Sequence, residues 1–226
     1  MHRALAHCTI VLIVAGCSRY TTSSQAPVPV EREPHHKTVF KNDHVQVFRV
    51  QLEPSKTSLM HTHSHDDASV RLTTATVAAD SPGEPIGPPE PVYPGFLSAR
   101  DNEATPHTHR VHNIGTTLFD VVLVQILTRP EGPPSAAVSS VGAENSKMRV
   151  YRYEIAPGTV TAQHTHTRPF VFVAVTDIDL DTMSPNGSST KRLLKAGDFQ
   201  WIDSTVTHSL ANRGAAPAII VEFELK

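Results

Sequence analysis

The chain has 226 residues, with 20 Lys+Arg against 22 Asp+Glu, 14 His and a formal net charge of −2. So even a balance gives no electrostatic reason to expect a nucleic-acid partner. An aromatic fraction of 6% and 18 Pro suit a β-rich protein with Pro-rich loops.

In chain order, the first segment is not expected to belong to the fold. Arg3 supplies a small positive region. CTIVLIVAG, residues 8–16, is apolar but too short for a comfortable membrane span. It ends in VAGC, residues 14–17, which resembles the bacterial lipoprotein signal, where the chain is cut before the cysteine and lipid is attached to its sulfur. On that reading residues 1–16 are a signal peptide, Cys17 is lipidated, and the protein is anchored in the bacterial cell envelope. Ser18 resembles the sorting signature for the outer membrane, facing the periplasm. A plain secretory signal cut elsewhere is the alternative. Cys8 leaves with the signal and Cys17 carries lipid, so no thiol remains for a disulfide. Any metal must then be held by nitrogen and oxygen. Residues 17–37 have three prolines and few large apolar residues. They read as a flexible tether, reaching up to roughly 60 Å at ~3 Å per residue, and no role is expected for His35 and His36 within it.

Period-2 patterns follow. HVQVFRVQLEP (44–54), KMRVYRYEIAPG (147–158), PFVFVAVTDIDL (169–180) and PAIIVEFELK (217–226) read as strands, and LFDVVLVQIL (118–127) is a near-continuous apolar run. No long apolar stripe has the helical period. Short strands divided by Pro, Gly, Asn and Ser predict an all-β sandwich or barrel architecture. Residues 130–146 read as a linker between an N-terminal domain, 38–129, and a C-terminal one, 147–226.

The sequence also repeats itself. MHTH at 60–63 returns as QHTH at 163–166, and HRVHNIG at 109–115 returns as HSLANRG at 208–214. The offsets, 164 − 61 = 103 and 208 − 109 = 99, indicate a duplicated module of about 100 residues with a longer loop at Asp80–Gly95 of the first copy. On a strand, residues i and i+2 share a face ~6.6 Å apart. Two imidazoles so placed can converge on one ion at ~2.0–2.1 Å, with a third from a distant strand. The expected metal ligands are His164, His166 and His208 in the second copy and His61, His63 and His109 in the first. HTHSHDD, 61–67, also fits a loose surface metal tract. His65, His107 and His112 are expected to face solvent. Asn113 and Asn212 are expected to hold turns, and Phe172 and Trp201 to pack in the core.

Both halves resemble cupins, whose motifs are commonly written G-x5-H-x-H-x3,4-E-x6-G and G-x5-P-x-G-x2-H-x3-N. Gly158 precedes His164 and His166 at the right spacing, and Gly197 leads to His208 and Asn212. In the first half Ser55 takes the glycine place, His109 and Asn113 keep the H-x3-N pair, and the second glycine is displaced to Gly95. The resemblance implies two tandem jelly-roll barrels, a divalent transition metal (iron, manganese or zinc), a small-molecule ligand, and a monomer or homodimer. The motif glutamate is missing: its place falls at Phe170 or Val171 in one half and at Asp67 or Ala68 in the other, so Asp67 is a candidate additional ligand. Three-histidine sites resemble those of iron(II) dioxygenase cupins, of zinc- or iron-dependent lyases and of binding cupins. The expected function is therefore a dioxygenase-type enzyme. A non-catalytic small-ligand or metal-binding lipoprotein is the alternative, and a structural lipoprotein with vestigial sites a third reading.

Overall fold

The structure is a computed structural model that describes residues 26–131, 136–203 and 205–226. The signal sequence and Cys17 lie outside the described residues. Apart from a 3₁₀ turn at Val30–Arg32, the regular elements are strands. The first half contains β1 (Val28–Pro29), β2 (His36–Lys41), β3 (Val45–Leu52), β4 (His61–His63), β5 (Asp67–Arg71), β6 (Ala75–Asp80), β7 (Glu90–Val92), β8 (Leu97–Arg100), β9 (His107–Asn113) and β10 (Phe119–Ile126). The second contains β11 (Ala143–Glu144), β12 (Met148–Ile155), β13 (His164–His166), β14 (Phe170–Ala174), β15 (Ile178–Met183), β16 (Ser189–Leu194), β17 (Phe199–Ile202), β18 (Val206–Asn212) and β19 (Ala218–Leu225).

Each half folds into two facing sheets. The orders are β1-β4-β9-β6-β7 over β2-β3-β10-β5-β8, and β13-β18-β15-β16 over β11-β12-β19-β14-β17. The near-continuous apolar runs now have a physical reason. Every residue of β10 is buried, because both faces of its sheet are covered. Phe119, Val121 and Leu123 point into their own barrel, whereas Val122, Val124 and Ile126 join Val221, Phe223 and Leu225 in a core shared by the two halves. The central sheets thus pack back to back, as sandwich sheets do.

The shared core has pseudo-twofold character. Arg49 of β3 lies against Gly197 of the second barrel, and its counterpart Arg152 of β12 lies against Gly95 of the first; a Cβ on either glycine would collide with that guanidinium. Gly95 and Gly197 both have positive φ, 83° and 89°. They donate equivalent backbone bonds to Arg71 O (2.8 Å) and Ala174 O (2.7 Å), so the displaced glycine occupies the motif turn. Ser55 (φ 62°) likewise holds the left-handed turn that Gly158 (φ 72°) makes in the other barrel. Asn113 and Asn212 are buried turn residues, as expected. Asn113 Nδ2 donates to Leu52 O and Thr117 O, both at 2.8 Å, and Asn212 Nδ2 to Ile155 O and Ala216 O at the same distances.

Two expectations need correction. The segment read as a tether up to Lys37 is part of the barrel from Val28 onward. β1 pairs in parallel with β4, Val28 opposite His61, and β2 pairs with β3. Val30 is buried in the first barrel's core and Glu33 is sealed beneath it, burial that holds this polar stretch in place. The stretch read as linker is also partly structured. Ala143–Glu144 pairs with β12, and buried Asn145 donates to Asp67 O and Arg100 O across the domain junction.

Candidate metal centres

The two histidine motifs build the same triangle twice. β4 pairs with β9 so that His61 lies opposite His109, and β13 pairs with β18 so that His164 lies opposite His208. Ring-centroid distances are 5.1, 4.6 and 5.3 Å for His61–His63, His61–His109 and His63–His109. The second barrel gives 5.0, 4.5 and 5.4 Å for the matching pairs. Behind each triangle a threonine pair bonds across the strands, Thr62–Thr108 at 2.9 Å and Thr165–Thr207 at 2.8 Å.

The imidazoles are oriented from behind. His61 Nδ1 bonds Leu59 O at 2.8 Å and His164 Nδ1 bonds Ala162 O at 3.1 Å. Asp67 Oδ2 lies 2.8 Å from His63 Nδ1, and Glu224 Oε1 lies 3.3 Å from His166 Nδ1. The backbone acceptors on Nδ1 of His61 and His164 fix the tautomer that leaves Nε2 free as a donor to metal, while the carboxylates beside His63 and His166 lie within ion-pair distance. The freed atoms converge, with Nε2–Nε2 separations of 3.1 Å for His61–His109 and 2.8 Å for His164–His208. The donor sets fit a divalent ion of the zinc, iron or manganese type. Asp67, expected as an additional ligand, is not among the grouped donors; its carboxylate lies 2.8 Å from His63 Nδ1 and accepts from Asn102 Nδ2 at 2.9 Å.

Each cluster gains a donor from a strand outside the motifs. In the second barrel it is Glu222 of β19, whose carboxylate lies 3.6, 3.0 and 3.5 Å from His164, His166 and His208. In the first, His36 of β2 groups with His61 and His63 in a set of three that leaves out His109, whose Nε2 meets His61 Nε2. His36 Nδ1 bonds buried Glu33 Oε2 at 2.7 Å. The expectation that His36 is an idle tether residue is thus overturned by burial against the motif strand. The missing motif glutamate is explained as well. Phe170 stacks on His166 at 4.1 Å, and the carboxylate has moved to a neighbouring strand.

The electrostatics differ between the barrels. Burial drives His61 down to about 3, aided by the nearby His36 ring. Burial also lowers His36 and His109. These rings are neutral and ready to donate. In the second barrel burial opposes charge on His166, but Glu222 and Glu224 outweigh it and raise the group to about 9. Burial would raise Glu222, but bonds to His164 and His166 hold it at about 2. Burial takes His208 to about 4.

Surroundings differ too. The first triangle opens onto a cavity of about 370 Å³ lined by His36, His63, His109, Asp67, Arg71 and His107 among others. The second is packed with aromatic rings. Tyr153 stacks on His164 at 5.5 Å, and Tyr151 Oη donates to Glu224 at 3.0 Å.

No protein-family model matches the chain, and no curated protein does. Solved structures do. AerE from Microcystis aeruginosa superposes with a TM-score of 0.56 at 12% identity, covering 86% of this chain and 98% of its own. A point mutant of salicylate 1,2-dioxygenase from Pseudoaminobacter salicylatoxidans, solved in complex with gentisate, gives 0.56 at 14% identity, covering 87% and 76%. A cupin 2 conserved barrel domain protein from Leptotrichia buccalis gives 0.51 at 8% identity, covering 84% and 88%. The chain has the two-barrel cupin fold.

Within this cupin framework the structure brings all six expected histidines into two clusters. Of the three histidines expected to face solvent, two do not. His107, on the inward face of β9, lines the first cavity and lies 4.4 Å from His109 ring to ring. His112 is half-buried, bonded to Asp80 at 2.7 Å and Thr57 at 3.0 Å. His65 is half-exposed, 3.6 Å from Glu103. Phe172 packs in the cupin core as expected, and Trp201 packs against the core between the barrels.

Proposed function

We propose that this protein is a metal-dependent cupin enzyme of the dioxygenase type, acting on a small organic substrate in its N-terminal barrel. The C-terminal barrel holds a second divalent metal in a closed site. One difference carries this reading: of two matching imidazole triangles, the first borders a cavity of about 370 Å³, whereas aromatic rings pack against the second. His36, His61, His63 and His109 would hold the reactive metal, which when iron would supply oxygen activation. His107 faces the same cavity, makes no hydrogen bond among the described residues, and is kept neutral by burial. It is placed to take a proton from a substrate hydroxyl or thiol. His164, His166, His208 and Glu222 would hold the second ion, with Tyr153 and Phe170 keeping substrate out.

The lipoprotein-like VAGC adds a proposal about place: Cys17 is lipidated and the barrels sit at the bacterial envelope, facing the periplasm. The test uses the chain from Ser18 to Lys226, the triple alanine variant at His61, His63 and His109, and that at His164, His166 and His208. Elemental analysis should find about two ions in the parent and about one in each variant. Oxygen uptake over a panel of phenols and thiols should vanish only in the first variant. No uptake by iron-loaded parent would replace the enzyme with a non-catalytic binding cupin. Full-length Cys17→Ser recovered with the membranes would remove the anchor.

A further inference from the structure

The cavity of the first barrel contains a cation with no ion-pair partner. β5 alternates, so Asp67, Ser69 and Arg71 share its inner face. Arg71 Nη1 donates to Ser69 Oγ at 2.5 Å and Ser98 Oγ at 3.0 Å, both neutral acceptors. Its Nε is buried with no partner. Among the described residues no carboxylate lies within ion-pair distance of it. Glu90 at the exposed rim and Asp67 beside His63 favour its charge through space, and Arg100 opposes it. Burial pulls the guanidinium down only to about 10, so it stays charged at neutral pH. Phe96 covers it at 5.5 Å. A guanidinium held in a low-dielectric cavity by hydroxyls alone retains an unused fork suited to an oxyanion.

The rest of the cavity narrows the choice. Phe119, Val121 and Leu123 form an apolar wall. The volume, about 370 Å³, is at the small end of the ~300–1,000 Å³ range of small-molecule pockets. The second barrel has Phe172 and Ala174 where the first has Ser69 and Arg71; its own half-buried guanidinium, Arg192, comes from β16, covers Phe172 and bonds Thr182.

We propose that the N-terminal cavity takes a small carboxylic acid with an apolar body. Its carboxylate is held by Arg71 with Ser69 and Ser98, and its other end lies at the histidine cluster. This deepens the proposed function and rests on it for the second contact only. The test measures binding of benzoate, hexanoate, their neutral amides and inorganic phosphate to metal-loaded protein by calorimetry, with metal content determined in parallel. The acids should bind about 10- to 100-fold tighter than the amides, the range for a charge-assisted bond. Arg71→Met should abolish that preference while keeping its metal, and Arg71→Lys should keep part of it. A melting scan of each variant checks the fold. Equal binding of acid and amide, phosphate binding as well as the acids, or no binding of acid at about millimolar concentration would each overturn the proposal. Metal content separates the two readings: metal bound with no acid preference sinks only this one, and acid preference without metal sinks only the proposed reaction.

Discussion

The two barrels share a backbone and differ in what they put inside it. Position for position, the first has Val50, Asp67, Ser69 and Arg71 where the second has Tyr153, Phe170, Phe172 and Ala174. It has Leu123 and Gln125 where the second has Glu222 and Glu224. The first barrel is therefore hollow, with a cation and neutral imidazoles. The second packs Tyr153 and Phe170 against its imidazoles and joins a carboxylate to them. Polar–apolar exchanges at inward positions can separate two duplicated sites while the hydrogen-bonded frame stays fixed.

The largest expected effect comes from erasing the carboxylate that sets the barrels apart. Glu222→Leu gives the second barrel the residue found at the same place in the first. It should weaken metal binding at that site by about 100-fold or more, a loss at or beyond the upper end seen for supporting groups, and leave the first site loaded. Metal titration with a competing chelator reads both sites at once. Loss from both barrels, or from neither, would dissolve the distinction.

A smaller contrast concerns pH in the metal-free protein. His61 falls from 6.5 in the unfolded chain to about 3 when folded. Acid therefore favours the unfolded chain between those values, by up to about 1.4 kcal/mol per pH unit. His166 rises from 6.5 to about 9, so its stabilisation is full below 6.5 and is lost as pH climbs through 9. Burial of His208, down to about 4, gives the second barrel some acid sensitivity as well. Hydrogen exchange should show protection falling first in β4 and β9 at pH 5, and in β13 and β19 at pH 9. The reverse order would falsify the assignment of opposite charge states.

The smallest effect lies at the motif turn. Ser55 adopts φ 62° where its counterpart is Gly158. Ser55→Gly should stabilise the protein by about 0.5–1 kcal/mol, because relief of left-handed strain exceeds the added chain entropy. Chemical denaturation measures it, and Gly158→Ala should show a loss.

The motif histidines were legible because strand alternation and the repeat offset place them without any tertiary knowledge. The turn roles of Ser55, Gly95 and the two asparagines followed from the same register. Glu222 was legible in principle: in PAIIVEFELK it alternates in phase with Ala218 and Ile220, and a carboxylate on the inner face of an apolar strand signals a partner. His36 carried no such signal. Its strand is polar and short, and only burial of Val30 and Glu33 shows that the segment belongs to the barrel. His107 reads as solvent-facing in the sequence because solvent-facing and cavity-facing strand positions share the same pattern.

The strap formed by β1 and β2 changes how this protein relates to its proposed membrane anchor. Between Cys17 and Val28 there are only ten residues, 27 − 17 = 10. The strand that follows delivers His36 to the first cluster. On the proposed anchoring, a cut after Lys37 would release barrels that have left His36 behind.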